Sequence, residues 1–190
     1  MRTVVRYWLF TVIVVTGLCG LLYIVAQQGL RHGADDPQIQ MAEDIAEKLR
    51  TGQQLQSVLP TNKVDIANSL APYIILFDTN GKPLASSAQL NGQVPTIPSG
   101  VFEYVRQNGE DRFTWQPQVG VRSAVVVTKF TGVNSGFVLA GRSLREVEKR
   151  EDNSMMLILF SWVVLLFITS AVAFLFFRDQ NKTTPTQRQL

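Results

Sequence analysis

Arg112–Glu148, RFTWQPQVGVRSAVVVTKFTGVNSGFVLAGRSLREVE, is the stretch on which the reading of the whole chain turns. Arg112–Gln116 predicts one strand, broken by Pro117 and Gly120. Val121–Phe130 is dense in β-branched residues and predicts a second, and the polar Thr131–Ser135 predicts a turn. Gly136–Arg142 predicts a third, with Phe137 and Leu139 on one face and Val138 and Ala140 on the other. Neither face is polar, so the sheet is expected to be covered on both sides. Ser143-Leu144-Arg145-Glu146 matches the S-x-x-E capping box and predicts a helix at once after the strand. That helix meets no Gly or Pro before the end of an apolar run at Phe177.

Outward from this stretch, two runs carry no charge, Tyr7–Ala26 (20 residues) and Met155–Phe177 (23 residues). At about 1.5 Å per residue each is long enough to cross a hydrocarbon core of about 30 Å. The first is read as an uncleaved anchor, although Ile24-Val25-Ala26 weakly matches a cleavage site. The +3 net charge of the 190 residues comes from the ends: Arg2 and Arg6, then Arg178, Lys182 and Arg188. Basic flanks stay in the cytoplasm, so both termini are expected inside and the central segment outside. The expected division is a cytoplasmic terminus at 1–6, spans at 7–26 and 155–177, an extracytoplasmic domain at 27–154 and a disordered tail at 178–190. The lipid bilayer is thus the first expected partner.

The central segment holds 13 basic and 14 acidic side chains, so it is near neutral, and no basic patch implies a nucleic acid. The single cysteine, Cys19, lies in the first apolar run, so no intramolecular disulfide is available and the outer domain depends on its core. One histidine and one membrane-embedded cysteine leave no Ser-His or Cys-His pair and no His/Cys metal cluster. No enzyme, cofactor or metal is expected.

Along the central segment, Gln27–Pro37 with its glycines, aspartates and proline reads as a connector. Ala42, Ile45, Ala46 and Leu49 form an apolar helical stripe beside Glu43, Asp44 and Glu47. A second helical piece is expected to Leu59, and another over Val64–Leu70. Tyr73–Phe77 (YIILF) predicts a strong strand. It turns at Asp78-Thr79-Asn80-Gly81 into Lys82–Ser87. A calcium loop beginning at Asp78 would need Gly where Pro83 stands and Glu where Gln89 stands, so DTNG is read as a turn. Ala88–Pro98 reads as loop, and Ser99–Gln107 as a helix capped by Ser99 and stopped at Asn108-Gly109. The fold class is α+β, a five-stranded antiparallel sheet with flanking helices between two transmembrane helices.

The hairpin YIILFDTNGKPLASS, the helix between it and the three strands, and the Gly136–Glu148 strand-to-helix exit together resemble the single Cache, or PAS-like periplasmic, sensor domain of bacterial histidine kinases. The resemblance covers residues 27–154 and both apolar runs. It implies a PAS-like sheet that binds a small metabolite between the sheet and its covering helix and loops. It also implies that the change passes along the terminal helix into the membrane. Receptors of that kind continue into a relay helix pair, a phosphoacceptor histidine and an ATP-binding domain. Here 13 residues follow Phe177, and the sole histidine, His32, falls on the expected outer side. The expectation is therefore a sensing module without its own kinase, which signals through a membrane partner or as a homodimer. The alternatives are an envelope interaction module with no small-molecule ligand, or a truncated receptor.

For a ligand, the expected side chains are Arg122, Arg112, Trp115 and Tyr104. An arginine fork with aromatic neighbours suits a carboxylate or a planar molecule. Arg122 leads, because on a regular strand it shares a face with Ala124, Val126 and Thr128 and projects beside apolar surface. Each of the four also has a plainer reading, Trp115 and Tyr104 as core and the arginines as edge residues in water. Arg142 is read as support for the helix exit.

Overall fold

The computed structural model describes residues 2–132 and 135–182, with the backbone alone at 2, 31, 32, 34–36 and 180–182. Residues 178–182 of the expected disordered tail (178–190) are helical instead, while the rest of that tail, the side chain of His32 and the centre of the Thr131–Ser135 turn lie outside the described residues. The elements run α1 (Arg2–Arg50), β1 (Val64–Asp65), β2 (Tyr73–Asp78), β3 (Pro83–Ser86), β4 (Ala88–Gln89), α2 (Ser99–Asn108), β5 (Glu110–Gln118), β6 (Val121–Phe130), β7 (Gly136–Ser143) and α3 (Arg145–Lys182). They form two compact units, Met1–Gly29 with Arg150–Leu190, and Leu30–Lys149.

In the second unit five strands form an antiparallel sheet in the order β3-β2-β7-β6-β5. The expected apolar faces are both covered. One carries Tyr73, Ile75, Phe77, Val125, Val127 and Leu139, packed with Phe102 and Val105 of α2. The other carries Ile74, Leu76, Val126, Val138 and Ala140, packed with Ala42, Ile45 and Leu49 of α1. Strict period-two alternation along β2, β6 and β7 thus serves two cores rather than one core and solvent. Helix α2 buries only Phe102 and Val105, and Gly109 closes it at φ 91°. Arg106 fixes α2 to the β2–β3 turn by donating to the Thr79 carbonyl at 2.8 Å.

Several local expectations need correction. No connector interrupts α1, which passes through Gly29, Gly33 and Pro37 as one helix to Arg50. Proline lacks the N–H that would bond four residues back, and its ring crowds the carbonyl there, here that of Gly33, yet the backbone stays helical through it. Residues 64–70 are not a helix. The Asp65 carboxylate accepts from the Ala67 N–H at 3.0 Å and from Asn68 Nδ2 at 2.8 Å, a local turn that competes with helix. Val64–Asp65 instead pairs in parallel with Ala88–Gln89, inside the expected loop. Residues 53–59 form turns rather than a second helical piece. Pro117 does not end β5; it sits where the register with β6 shifts between Trp115 and Gln118. Ser99 makes no cap bond: Pro98 holds the N-cap position. The DTNG turn is as expected, with the Asp78 carboxylate accepting from the Asn80 and Lys82 N–H groups, both at 2.8 Å.

The first unit is a pair of apolar helical segments. Thr3–Leu30 and Arg145–Asp179 hold windows of mean hydropathy 2.5 and are long enough to cross a membrane. In this unit Val4, Trp8, Val12, Val15, Cys19 and Tyr23 on α1 are half-buried, as are Ile158, Trp162, Leu166, Thr169, Ala173 and Phe177 on α3. Steps of three and four residues put each set on one stripe, as a two-helix seam requires. Trp162 Nε1 donates to Thr16 Oγ1 across that seam at 3.1 Å.

Candidate functional site

A cluster of polar contacts marks the place where α3 leaves β7. Pairing of β7 ends at Gly141 with β2 and at Ser143 with β6, and the Leu144 N–H then donates to the Arg122 carbonyl at 2.9 Å. The helix starts at Arg145, one residue later than the capping box predicts, and Ser143 Oγ accepts from the Arg145 N–H at 3.3 Å. Two arginines hold this first turn. Arg122, on β6, is ion-paired with Glu148 of α3. Arg145 donates to the carbonyls of Ala67 and Asn68 in the turn after β1. A helix start is thereby fastened to a strand and to a loop by side chains 26 and 77–78 residues distant.

Immediately inside this joint lie two buried hydroxyls. Tyr73 is 1% exposed and Ser123 is fully buried. Tyr73 pairs with Gly141, and Ser123 with Ser143, so the two hydroxyls face one another diagonally beneath the helix start. Each lacks a well-formed hydrogen bond, although the Ser123 hydroxyl is the group placed to stabilise the Tyr73 phenolate. Burial outweighs that contact and pushes the phenol well above its ordinary value. Glycine at 141 is what admits the ring, because a Cβ there would come within 2.6 Å of the Tyr73 hydroxyl oxygen.

The four residues expected to bind a ligand do not meet. Trp115 is 5% exposed and belongs to the core on the α2 side of the sheet. Arg112 and Arg122 are on the opposite face, in register with Val126 and two residues from Ala124 respectively. Arg112 is ion-paired with Glu110, and Tyr104 is 52% exposed on α2. Arg122 is on the strand and face expected, but its side chain is about half exposed and directed to Glu148. Among the described residues no three His, Cys, Asp or Glu side chains come together in a way that could hold a metal ion.

Sequence reading missed Tyr73 and Ser123, whose types look ordinary in a strand, and the partners of Arg122 and Arg145. The S-x-x-E signal, Arg122 and Arg142 pointed to this region, but not to the contacts that build it. No protein-family model matches the chain, and no curated protein matches it.

Proposed function

We propose that this chain is a two-pass membrane protein whose sheet unit stands outside the cytoplasm as a PAS-like sensor. In this reading the unit binds a small molecule and passes its state through α3 to a membrane partner. The observation that carries the proposal is the joint itself. The first turn of α3 is tied to β6 by Leu144 N–H to Arg122 C=O and by Arg122–Glu148, and the same helix runs unbroken to Lys182. A shift of β6 against β7 would act on the start of a helix rather than on a slack linker. The element order, helix, hairpin, helix, three strands, helix, also agrees with the resembled sensor domain. The basic residues Arg2 and Arg6 before the first apolar segment and Arg178 after the second favour cytoplasmic termini.

The test is thermal unfolding of the full chain in lipid nanodiscs, screened against amino acids, carboxylates and other small metabolites. A ligand at about 100 times its dissociation constant adds about 2.7 kcal/mol of stability, so a saturable upward shift is the expected result. A well-folded protein that no compound stabilises would contradict small-molecule binding.

A second reading is favoured by β5, one of the two edge strands of the sheet. Arg112, Thr114 and Gln116 alternate along it and are all exposed. An open strand edge with polar, solvent-facing side chains suits docking of another envelope protein by strand addition.

A further inference from the structure

Between the N-terminal part of α1 and the C-terminal part of α3 lies a groove of about 440 Å³, lined by Tyr7, Trp8 and Thr11 on one side and Thr169, Val172 and Phe176 on the other. A second cavity of about 430 Å³ shares Val172 and Phe176 and extends to Arg178 and Asp179. Asp179 already has a partner, whereas the exposed Arg178 has none among the described residues. Arg6, one residue before Tyr7, is likewise exposed. The two cavities together run from an apolar wall, past a 71%-exposed tyrosine, to a rim that carries Arg178 and the already partnered Asp179. That gradient matches one class of molecule: apolar chains, then ester oxygens that accept hydrogen bonds, then a negative phosphate. Tyrosine and tryptophan sit at this depth in membrane proteins, and arginines just beyond it attract anionic headgroups.

We infer that this groove is a binding site for an anionic phospholipid, with its chain against Val172 and Phe176 and its phosphate at Arg178 and Arg6. The inference rests on the two-pass reading above. A lipid held there would brace the ends of α1 and α3 that lie farthest from the sheet in sequence.

The experiment uses the full chain in liposomes with tail-brominated lipids as quenchers. Two variants isolate the reporters: Trp115→Phe/Trp162→Phe leaves Trp8 in the groove, and Trp8→Phe/Trp115→Phe leaves Trp162 on the seam. Brominated phosphatidylglycerol should quench Trp8 about fivefold more efficiently than brominated phosphatidylcholine, the local enrichment that one arginine gives beside an anionic headgroup. Trp162 should be quenched equally by both, and Arg6→Gln/Arg178→Gln should abolish the preference at Trp8. Equal quenching of Trp8 by the two lipids would overturn the site. Protection of Trp8 from both while Trp162 is quenched would also overturn it, by showing that a protein segment covers the groove. If neither tryptophan is quenched, the helices are outside the bilayer and the two-pass reading itself fails. Should the Trp115→Phe background not fold, native mass spectrometry of the otherwise unaltered chain reads the same preference. Phosphatidylglycerol should be retained over phosphatidylcholine, and Arg6→Gln/Arg178→Gln should remove that difference; equal retention would overturn the site.

Discussion

The ring of Tyr73 lies over Gly141 on the neighbouring strand, and it is the missing side chain at 141 that leaves room for it. Beneath the start of α3 the sheet is therefore packed to contact with no slack. Gly141→Ala would drive its Cβ to 2.6 Å from the tyrosine oxygen, in a strand held on both sides. Overpacking of this kind costs about 1–3 kcal/mol. Thermal unfolding should register the loss, and Tyr73→Phe in the same chain should restore part of it, because the oxygen is one of the atoms met.

Tyr73 also makes stability depend on alkaline pH. Its folded pKa is raised by burial, with Ser123 opposing, while the unfolded phenol ionises near its ordinary value of about 10. Below that value both states hold the proton and stability is unaffected. Above it the unfolded state releases the proton and the folded state keeps it, so stability falls by about 1.4 kcal/mol per pH unit until the folded pKa is passed. Chemical denaturation between pH 9 and 11 should show the fall, and Tyr73→Phe should flatten it relative to the parent.

The Arg122–Glu148 pair should matter little for stability and more for order at the helix start. Both side chains are more than one third exposed, so the pair is worth about 0–1 kcal/mol in a background where water screens it. Glu148→Ala should therefore leave the melting temperature almost unchanged. Hydrogen exchange over residues 144–149 should nonetheless rise, and the charge swap Arg122→Glu/Glu148→Arg should bring it back. Unchanged exchange in Glu148→Ala would remove the pair from the joint.

Within the apolar unit, Trp162 and Thr16 share a hydrogen bond whose partners come from different helices. Such bonds contribute about 0.6 kcal/mol on average in membrane proteins. Thr16→Val keeps the shape and removes the acceptor, so unfolding in mixed micelles should shift by that small amount. Thr16→Val in a Trp162→Phe background should then add nothing further.

How much of this was legible in the sequence follows from the range of the forces involved. The strand cores, the DTNG turn and α2 were readable because period-two alternation, Asp78, Gly81 and Gly109 act within a few residues. The unbroken α1 was not, because Gly29, Gly33 and Pro37 are individually helix-weakening, yet the backbone stays helical through all three. β1 was missed for the opposite reason: its two residues pair with Ala88–Gln89, and a bridge that short leaves no pattern. Arg122 was placed on the correct face, but its partner lies on another element. Tyr73 and Ser123 drew no attention, since only the fold brings their hydroxyls together. Strand faces are local information, whereas side-chain pairing across elements is not.

Everything proposed for α3 depends on which side of a membrane the sheet unit occupies, and thiol labelling in intact cells reads that directly. Cys19→Ala removes the sole native thiol. In that background Asn80→Cys, in the exposed β2–β3 turn, should react with a membrane-impermeant maleimide in intact cells. Thr183→Cys, beyond α3, should react only after the cells are permeabilised. Labelling of Thr183→Cys in intact cells, or protection of Asn80→Cys until permeabilisation, would contradict the two-pass sensor.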